Sequence, residues 1–287
     1  MALRAEAYYR EAEQRLRLLE IESQVECAAK EIPEPIEWAE GVSGNVLDDW
    51  QRSFMLSDAT DVLFNCSRQS GKSQVVSLKA AYRAKFLERN VAVLAPTLRQ
   101  SSIIYRRAKL WLQRDGTEFS RVTAHELELH SGATFSALPG DRPDISIRGD
   151  TVQDLIVDEA SRIKDSLIVA ATPATATIPD ATITYLSTPC GKVGAFWNAW
   201  NAEDWWQHIT VTAYQCPRIS HAFLERERKR LGPLFRQEYL CEFMDAPGGL
   251  FLSEDLDRLF SHNHDFDFED GVEIPERNPI WDYPEVA

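Results

Sequence analysis

Val62-Leu63-Phe64-Asn65-Cys66-Ser67-Arg68-Gln69-Ser70-Gly71-Lys72-Ser73 is the stretch on which the fold turns. Val62 to Asn65 reads as a short apolar strand and Lys72 to Glu88 carries helical spacing, so the residues between them form a strand-to-helix loop. That loop fits the frame G-x-x-x-x-G-K-[ST], with Cys66 standing where the first glycine is expected. The spacing has a chemical reason: successive backbone N–H groups, followed by a helix N-terminus, cradle phosphate oxygens. Arg68, Gln69, Ser70 and Gly71 form the cradle, Lys72 reaches the outer phosphates, and the Ser73 hydroxyl is placed to ligate Mg2+. Gly71 permits a close approach of backbone to phosphate that a side chain would block.

Downstream, Leu155-Ile156-Val157-Asp158-Glu159 is an apolar strand ending in two carboxylates. Asp158 is placed to hold Mg2+ directly or through water, and Glu159 is the candidate base that polarises an attacking water. A strand that merely ends in a solvated acidic turn would look the same in isolation. A phosphate loop earlier in the chain, expected on a neighbouring strand of the same sheet, favours the metal reading. Ser187-Thr188-Pro189 follows a further strand, Thr182 to Leu186, and hydroxyls there are suited to sense a γ-phosphate and relay hydrolysis to a moving element. Between and after these motifs lie a strand at Val91 to Leu94, a basic amphipathic helix at Arg99 to Gln113, a hairpin over Glu126 to Leu138, and a strand at Trp206 to Thr212. Such alternation predicts an α/β fold, a mainly parallel sheet with helices on both faces.

The flanks read differently. Arg4 to Lys30 is amphipathic and helical, either a cap on the main domain or a partner-binding arm, and Ile32 to Gly44, rich in Pro and Gly, reads as a helix-breaking linker. Ser220 to Phe243 is helical around a Gly232-Pro233 break and suits a small lid over the nucleotide edge of the sheet. From Asp245 the pattern weakens into an acidic, extended tail. The expected division is therefore arm and linker at 1–46, nucleotide-binding core at 47–213, lid at 214–250 and tail at 251–287.

Much of the formal charge of −14 sits in that tail, so any nucleic-acid contact on the body must be local. Arg99, Arg106, Arg107, Lys109 and Arg114 form the densest basic cluster, and a solvated helix face explains it as well as a phosphate-binding one. Five scattered cysteines without C-x-x-C pairing fit reduced thiols, and the absence of a long apolar run predicts a soluble, intracellular protein without a membrane partner.

The order of the three motifs resembles the ATPase domain of phage terminase large subunits. The family's phosphate loop is irregular and often holds an arginine, as Arg68 does here. Trp50-Gln51 resembles its adenine-recognition element, Ala95-Pro96-Thr97-Leu98-Arg99-Gln100 its helicase-like second motif, and Phe235 to Phe243 the closing helix of its lid. The resemblance, running from Leu47 to Phe251, implies a RecA-like P-loop fold with a small helical lid, and ATP and Mg2+ as substrate and metal. It also implies double-stranded DNA as cargo, and a homo-oligomeric ring docked on a capsid portal in the host cytoplasm, served by a small terminase subunit. Arg148 matches the place from which the family sends an arginine finger into the neighbouring subunit, with Arg142 its nearest competitor. The family's nuclease domain has no counterpart in the acidic tail, so a nuclease would lie in a longer protein or on another chain. Two rivals stand beside this reading, a helicase-like remodelling ATPase and a non-hydrolysing nucleotide-binding assembly subunit. A small-molecule kinase suits the Asp158-Glu159 pair less well, since that pair serves water rather than an acceptor hydroxyl.

Overall fold

The computed structural model describes residues 32–139, 151–202 and 205–245. The chain divides into two units, Met1–Met244 and Asp245–Ala287, and the fold that follows is that of the first. The helical arm read before Ile32 and the acidic tail lie outside the described residues.

Helix α1 (Pro35–Ser43) occupies the segment whose prolines and glycines were expected to break helices. The same residues bracket it instead. Pro35 takes the first turn, where its missing N–H costs nothing, and Gly44 ends the helix at φ 67° with its N–H on the Glu40 carbonyl at 2.8 Å. Trp38 packs edge-on against Tyr82 and Phe86, 5.7 and 5.8 Å between ring centres, which fixes α1 to the body. Helix α2 (Asp49–Leu56) follows, and the Gln51 side chain caps it by accepting the Asp48 N–H at 3.0 Å.

The remaining elements alternate as the apolar pattern requires. In chain order they are β1 (Asp61–Cys66), α3 (Lys72–Phe86), β2 (Val91–Ala95), α4 (Leu98–Arg114), β3 (Phe119–Val122), β4 (Glu126–Leu129) and β5 (Thr134–Pro139). Then come β6 (Asp154–Asp158), α5 (Asp165–Ala171), β7 (Thr182–Ser187), α6 (Gly194–Asn201), β8 (Gln207–Val211), α7 (His221–Leu231) and α8 (Leu234–Leu240). All eight strands join one sheet in the order β3-β4-β5-β2-β6-β7-β1-β8. The run from β5 to β8 is parallel, and β3 and β4 extend it as an antiparallel edge.

Two apolar cores cover the two faces. One gathers α1 to α4 around Phe54, Phe64, Leu78, Tyr105, Trp111 and Phe135; the other gathers α5 and α6 around Leu63, Leu155, Val157, Leu167 and Phe196. At the amino ends of the strands, Arg89 joins the buried Asp154 at 2.9 Å and Asp180 at 2.5 Å, so the charged groups there are paired rather than left bare. The opposite, carboxyl ends of β1, β6 and β7 are left for chemistry. β1 and β6 are not neighbours, contrary to the expectation from sequence, because β7 is inserted between them. Asp158 pairs in register with Leu186, and Asn65 with Ser187, so the hydroxyls following β7 fall between the phosphate loop and the acidic pair.

Candidate nucleotide-binding site

The loop after β1 is held open by backbone geometry and neighbouring side chains. Gln69 (φ 62°) and Gly71 (φ 97°) both lie in the left-handed region, which turns successive N–H groups of the loop inward before α3 begins at Lys72. A Cβ on Gly71 would stand 2.8 Å from Nε2 of Gln51, so only glycine fits without displacing that side chain. The Ser67 N–H donates to the Val211 carbonyl at 2.9 Å, and Thr188 Oγ1 donates to the Cys66 carbonyl at 3.1 Å, which tethers the loop's entry to the strands on either side. Cys66 is tolerated at the first glycine position because its side chain is fully buried, with the thiol toward the Ile209 carbonyl rather than in the cradle. Burial pushes that thiol far above its ordinary titration range, so it is inert.

Lys72 is buried, and its Nζ lies 3.5 Å from Thr188 Oγ1. Asp158, also buried, has its carboxyl pushed up to about 6, first by burial and then by the neighbouring Glu159 charge; Lys72, the Glu159 N–H and Arg107 pull it the other way. Glu159 leaves the strand at φ 52°, ψ 42°, a conformation disfavoured for a residue with a Cβ by about 1–2 kcal/mol. Behind this pair Ser161, Ser187 and Thr188 form a hydroxyl network: Ser161 Oγ lies 2.6 Å from Ser187 Oγ and donates to the Thr188 carbonyl at 2.8 Å.

The phosphate loop and Glu159 open onto one cavity of about 930 Å³. Its floor is Arg68, Gln69, Ser70, Gly71, Lys72, Ser73 and Glu159, and its lid wall is Arg218, Ile219, Ser220, Phe223, Arg226 and Tyr239, from α7, α8 and the segment before them. Ion pairs stitch floor to lid. Arg68 pairs with Glu238 of α8; Glu238 also lies 3.7 Å from Arg162, whose guanidinium donates to Glu159 at 2.9 Å. Arg218 grips Asp48 through two bonds, 2.9 and 2.6 Å, and donates to the Ser70 carbonyl at 3.2 Å.

Of the residues singled out from sequence, the phosphate loop and Glu159 line the cavity, Asp158, Ser187 and Thr188 stand behind them, and Gln51 packs against Gly71. Trp50 does not join them. Half-buried, its ring packs against the core and meets Phe64 edge-on at 6.2 Å, since consecutive helical residues point about 100° apart. Arg148 and Arg142 lie outside the described residues. The basic cluster of α4 is not one surface: Arg107 lines the nucleotide cavity, Arg99, Arg106 and Lys109 line a separate groove with His125, and Arg114 bonds to the Val42 carbonyl at 3.1 Å. Sequence reading missed Asn65, Ser161, Arg162, Arg218 and Glu238. Only Glu238, inside the segment resembling a lid helix, carried a signal.

A phosphate loop and an acidic strand end, separated by one strand in a sheet of this order, define a RecA-like P-loop fold. Solved structures agree. The chain is similar to the large terminase ATPase domain of Thermus phage P74-26, with 22% identity and a TM-score of 0.63 over 71% of this chain and 97% of that one. It is also similar to the large terminase of the thermophilic bacteriophage D6E, at 19% identity and a TM-score of 0.59, covering 69% of this chain. The D6E protein in complex with ATP-gamma-S matches at 17% identity and a TM-score of 0.54, covering 74% of this chain. The chain spans about half the length of the D6E protein, 54% and 53% in the two structures. No curated protein matches the chain. Residues 63–258 match the family described as terminase large subunit, T4likevirus-type, N-terminal, and the chain belongs to that family.

Proposed function

We propose that this chain is the ATP-hydrolysing motor domain of a DNA-packaging terminase, coupling hydrolysis to the movement of double-stranded DNA into a capsid. The observation that carries this is the convergence of Lys72 and Glu159 on one cavity, with Asp158 buried beside them. The donor set suits magnesium: Ser73 on the cavity floor and the buried Asp158 carboxyl offer the hard oxygen ligands that Mg2+ takes beside phosphate. Bound there by Ser73 and Asp158, the ion would neutralise phosphate charge during transfer.

The protein's own residues do the rest. Lys72 binds the outer phosphates, and Gln51 supports the cradle through its packing on Gly71. Glu159 orients the attacking water once its bond to Arg162 yields. Ser187 and Thr188 connect the γ-phosphate position to Ser161, and Arg68 connects the loop to the lid through Glu238. Arg148 of an adjacent subunit completes the site in a homo-oligomeric ring on the portal, to which a small terminase subunit delivers DNA. The groove of Arg99, Arg106, Lys109 and His125, about 500 Å³, offers cations for DNA phosphates, giving binding that is sequence-independent and weakens steeply with salt.

Glu159→Gln tests the chemistry. Its expected signature is retained binding of ATP with Mg2+ and a loss of phosphate release of about 100-fold or more, measured with portal and DNA present. Hydrolysis at the wild-type rate by the variant would remove Glu159 from the role, and failure of the assembled wild type to release phosphate would reject the motor.

A further inference from the structure

Two cations on the cavity wall, Arg107 of α4 and Arg226 of α7, make no ion pair or side-chain hydrogen bond among the described residues. The others are engaged: Arg68 with Glu238, Arg218 with Asp48, and Lys72 with the Thr188 hydroxyl. An exposed arginine without a carboxylate is unremarkable on a helix surface. On the wall of a cavity built around a phosphate cradle, it is a guanidinium whose donors are available to the ligand.

Arg107 is set apart by direction. On α4 the residues Arg99, Ser102, Arg106 and Lys109 share a stripe that faces His125 across the neighbouring groove. Arg107, one residue on from Arg106, is rotated about 100° from it and meets Lys72, Ser73 and Glu159 across the nucleotide cavity. The cation therefore stands toward the acidic end of the site, where the terminal phosphate of a nucleoside triphosphate would lie, and comes from the same chain as the phosphate loop.

We infer that Arg107 is a γ-phosphate ligand acting within its own subunit, so that the site distinguishes a nucleoside triphosphate from a diphosphate before any neighbour contributes. The inference rests on the nucleotide-binding reading above. It takes Arg107 out of any DNA-contacting surface and makes it a determinant of nucleotide specificity.

Binding without turnover tests it. Dissociation constants for ATP-gamma-S and for ADP, each with Mg2+, are measured by calorimetry on the full chain for wild type, Arg107→Gln and Arg106→Gln. The last carries the same charge change on the neighbouring stripe. Arg107→Gln should weaken ATP-gamma-S by about 10- to 100-fold, the scale of a lost charge-assisted hydrogen bond, and leave ADP within about twofold. Arg106→Gln should alter neither, and Arg107→Lys should recover part of the loss. Because Arg107 is exposed and has no ion-pair partner among the described residues, thermal melts of the variants should overlay the wild type. Equal weakening of both nucleotides, or of neither, overturns the assignment, as does a variant whose only defect is in DNA binding. A wild type that binds neither nucleotide would instead reject the nucleotide reading itself.

Discussion

The floor and the lid wall of the cavity are held by opposite physics. At and behind the floor, Lys72, Asp158, Ser187 and Thr188 are at most 8% exposed, and loop and strand ends are tied by hydrogen bonds to backbone carbonyls. Where the lid meets the rest of the cavity, ion pairs form ties, with Arg68 at 61% and Arg218 at 51% side-chain exposure. Buried hydrogen bonds are costly to break, whereas exposed pairs exchange with water at little cost. The floor is thus a fixed template and the lid a wall that can be rearranged, the division needed if nucleotide chemistry is to move an element of structure.

The widest departure expected from that two-walled picture is a third contributor. In an assembled ring, Arg148→Ala should slow hydrolysis by roughly 10³-fold or more if the arginine stabilises charge on the transferring phosphoryl group. Mixing Arg148→Ala with Glu159→Ala protein should restore measurable phosphate release, because some interfaces then pair an intact glutamate with an intact arginine. No recovery in rings shown to be mixed would leave both walls to one chain.

The floor itself is most sensitive at Gly71. An alanine there must hold φ near 97° and push Gln51 Nε2 away from 2.8 Å. The backbone term alone is about 1–2 kcal/mol, so nucleotide affinity should fall about tenfold or more. Gln51→Ala on top of Gly71→Ala should recover part of that loss by removing the clash. Additive losses in the calorimetric titration would mean that the glutamine contacts nucleotide in its own right.

How much of this was written in the sequence follows the same division. The phosphate loop and the acidic strand were legible because each is contiguous, with chemistry and periodicity in one short window. That β7 lies between them was not, since strand order is fixed by which helices cross the sheet and not by any local pattern. Helical spacing showed α4 to be amphipathic but could not say which neighbour each polar stripe would face. Arg106 and Arg107 therefore read as one cluster and fold to two sites. Pro35 and Gly44 were read as breakers because the apolar face between them is short, and only packing on Tyr82 and Phe86 shows that they bracket a helix. The edge strand β3, mostly exposed and without alternation, gave no signal. Trp50 pairs with Gln51 by resemblance, and the helix turns it against Phe64, half-buried at the edge of the core.

Among the buried ties between floor and lid is the Asn65 amide donating to the Cys241 carbonyl at 2.8 Å, where α8 ends in a left-handed turn at φ 62°. Asn65→Ala leaves that carbonyl buried without a donor and should lower unfolding stability by about 1–3 kcal/mol. Denaturant melts check this, and a loss below the error of the fit would place the tie among the exchangeable ones.

The smallest stability effect and the most telling one should come from Glu238→Gln. Its carboxylate is shared between Arg68 and Arg162, and the exposed Arg68 partner limits the pair's worth to roughly 0.2–1 kcal/mol, so the melting temperature should barely move. The charge nevertheless holds two groups away from other work: Arg68 in the phosphate loop, and Arg162, which in turn holds Glu159. Neutralising it should free Arg68 for phosphate and leave Arg162 to pair with Glu159 alone. Nucleotide affinity should then rise while turnover falls, and the salt dependence of both should flatten as a screened pair is removed. A variant that melts several degrees lower with unchanged kinetics would make this pair part of the fixed template, and the division between floor and lid would have to be redrawn at α8.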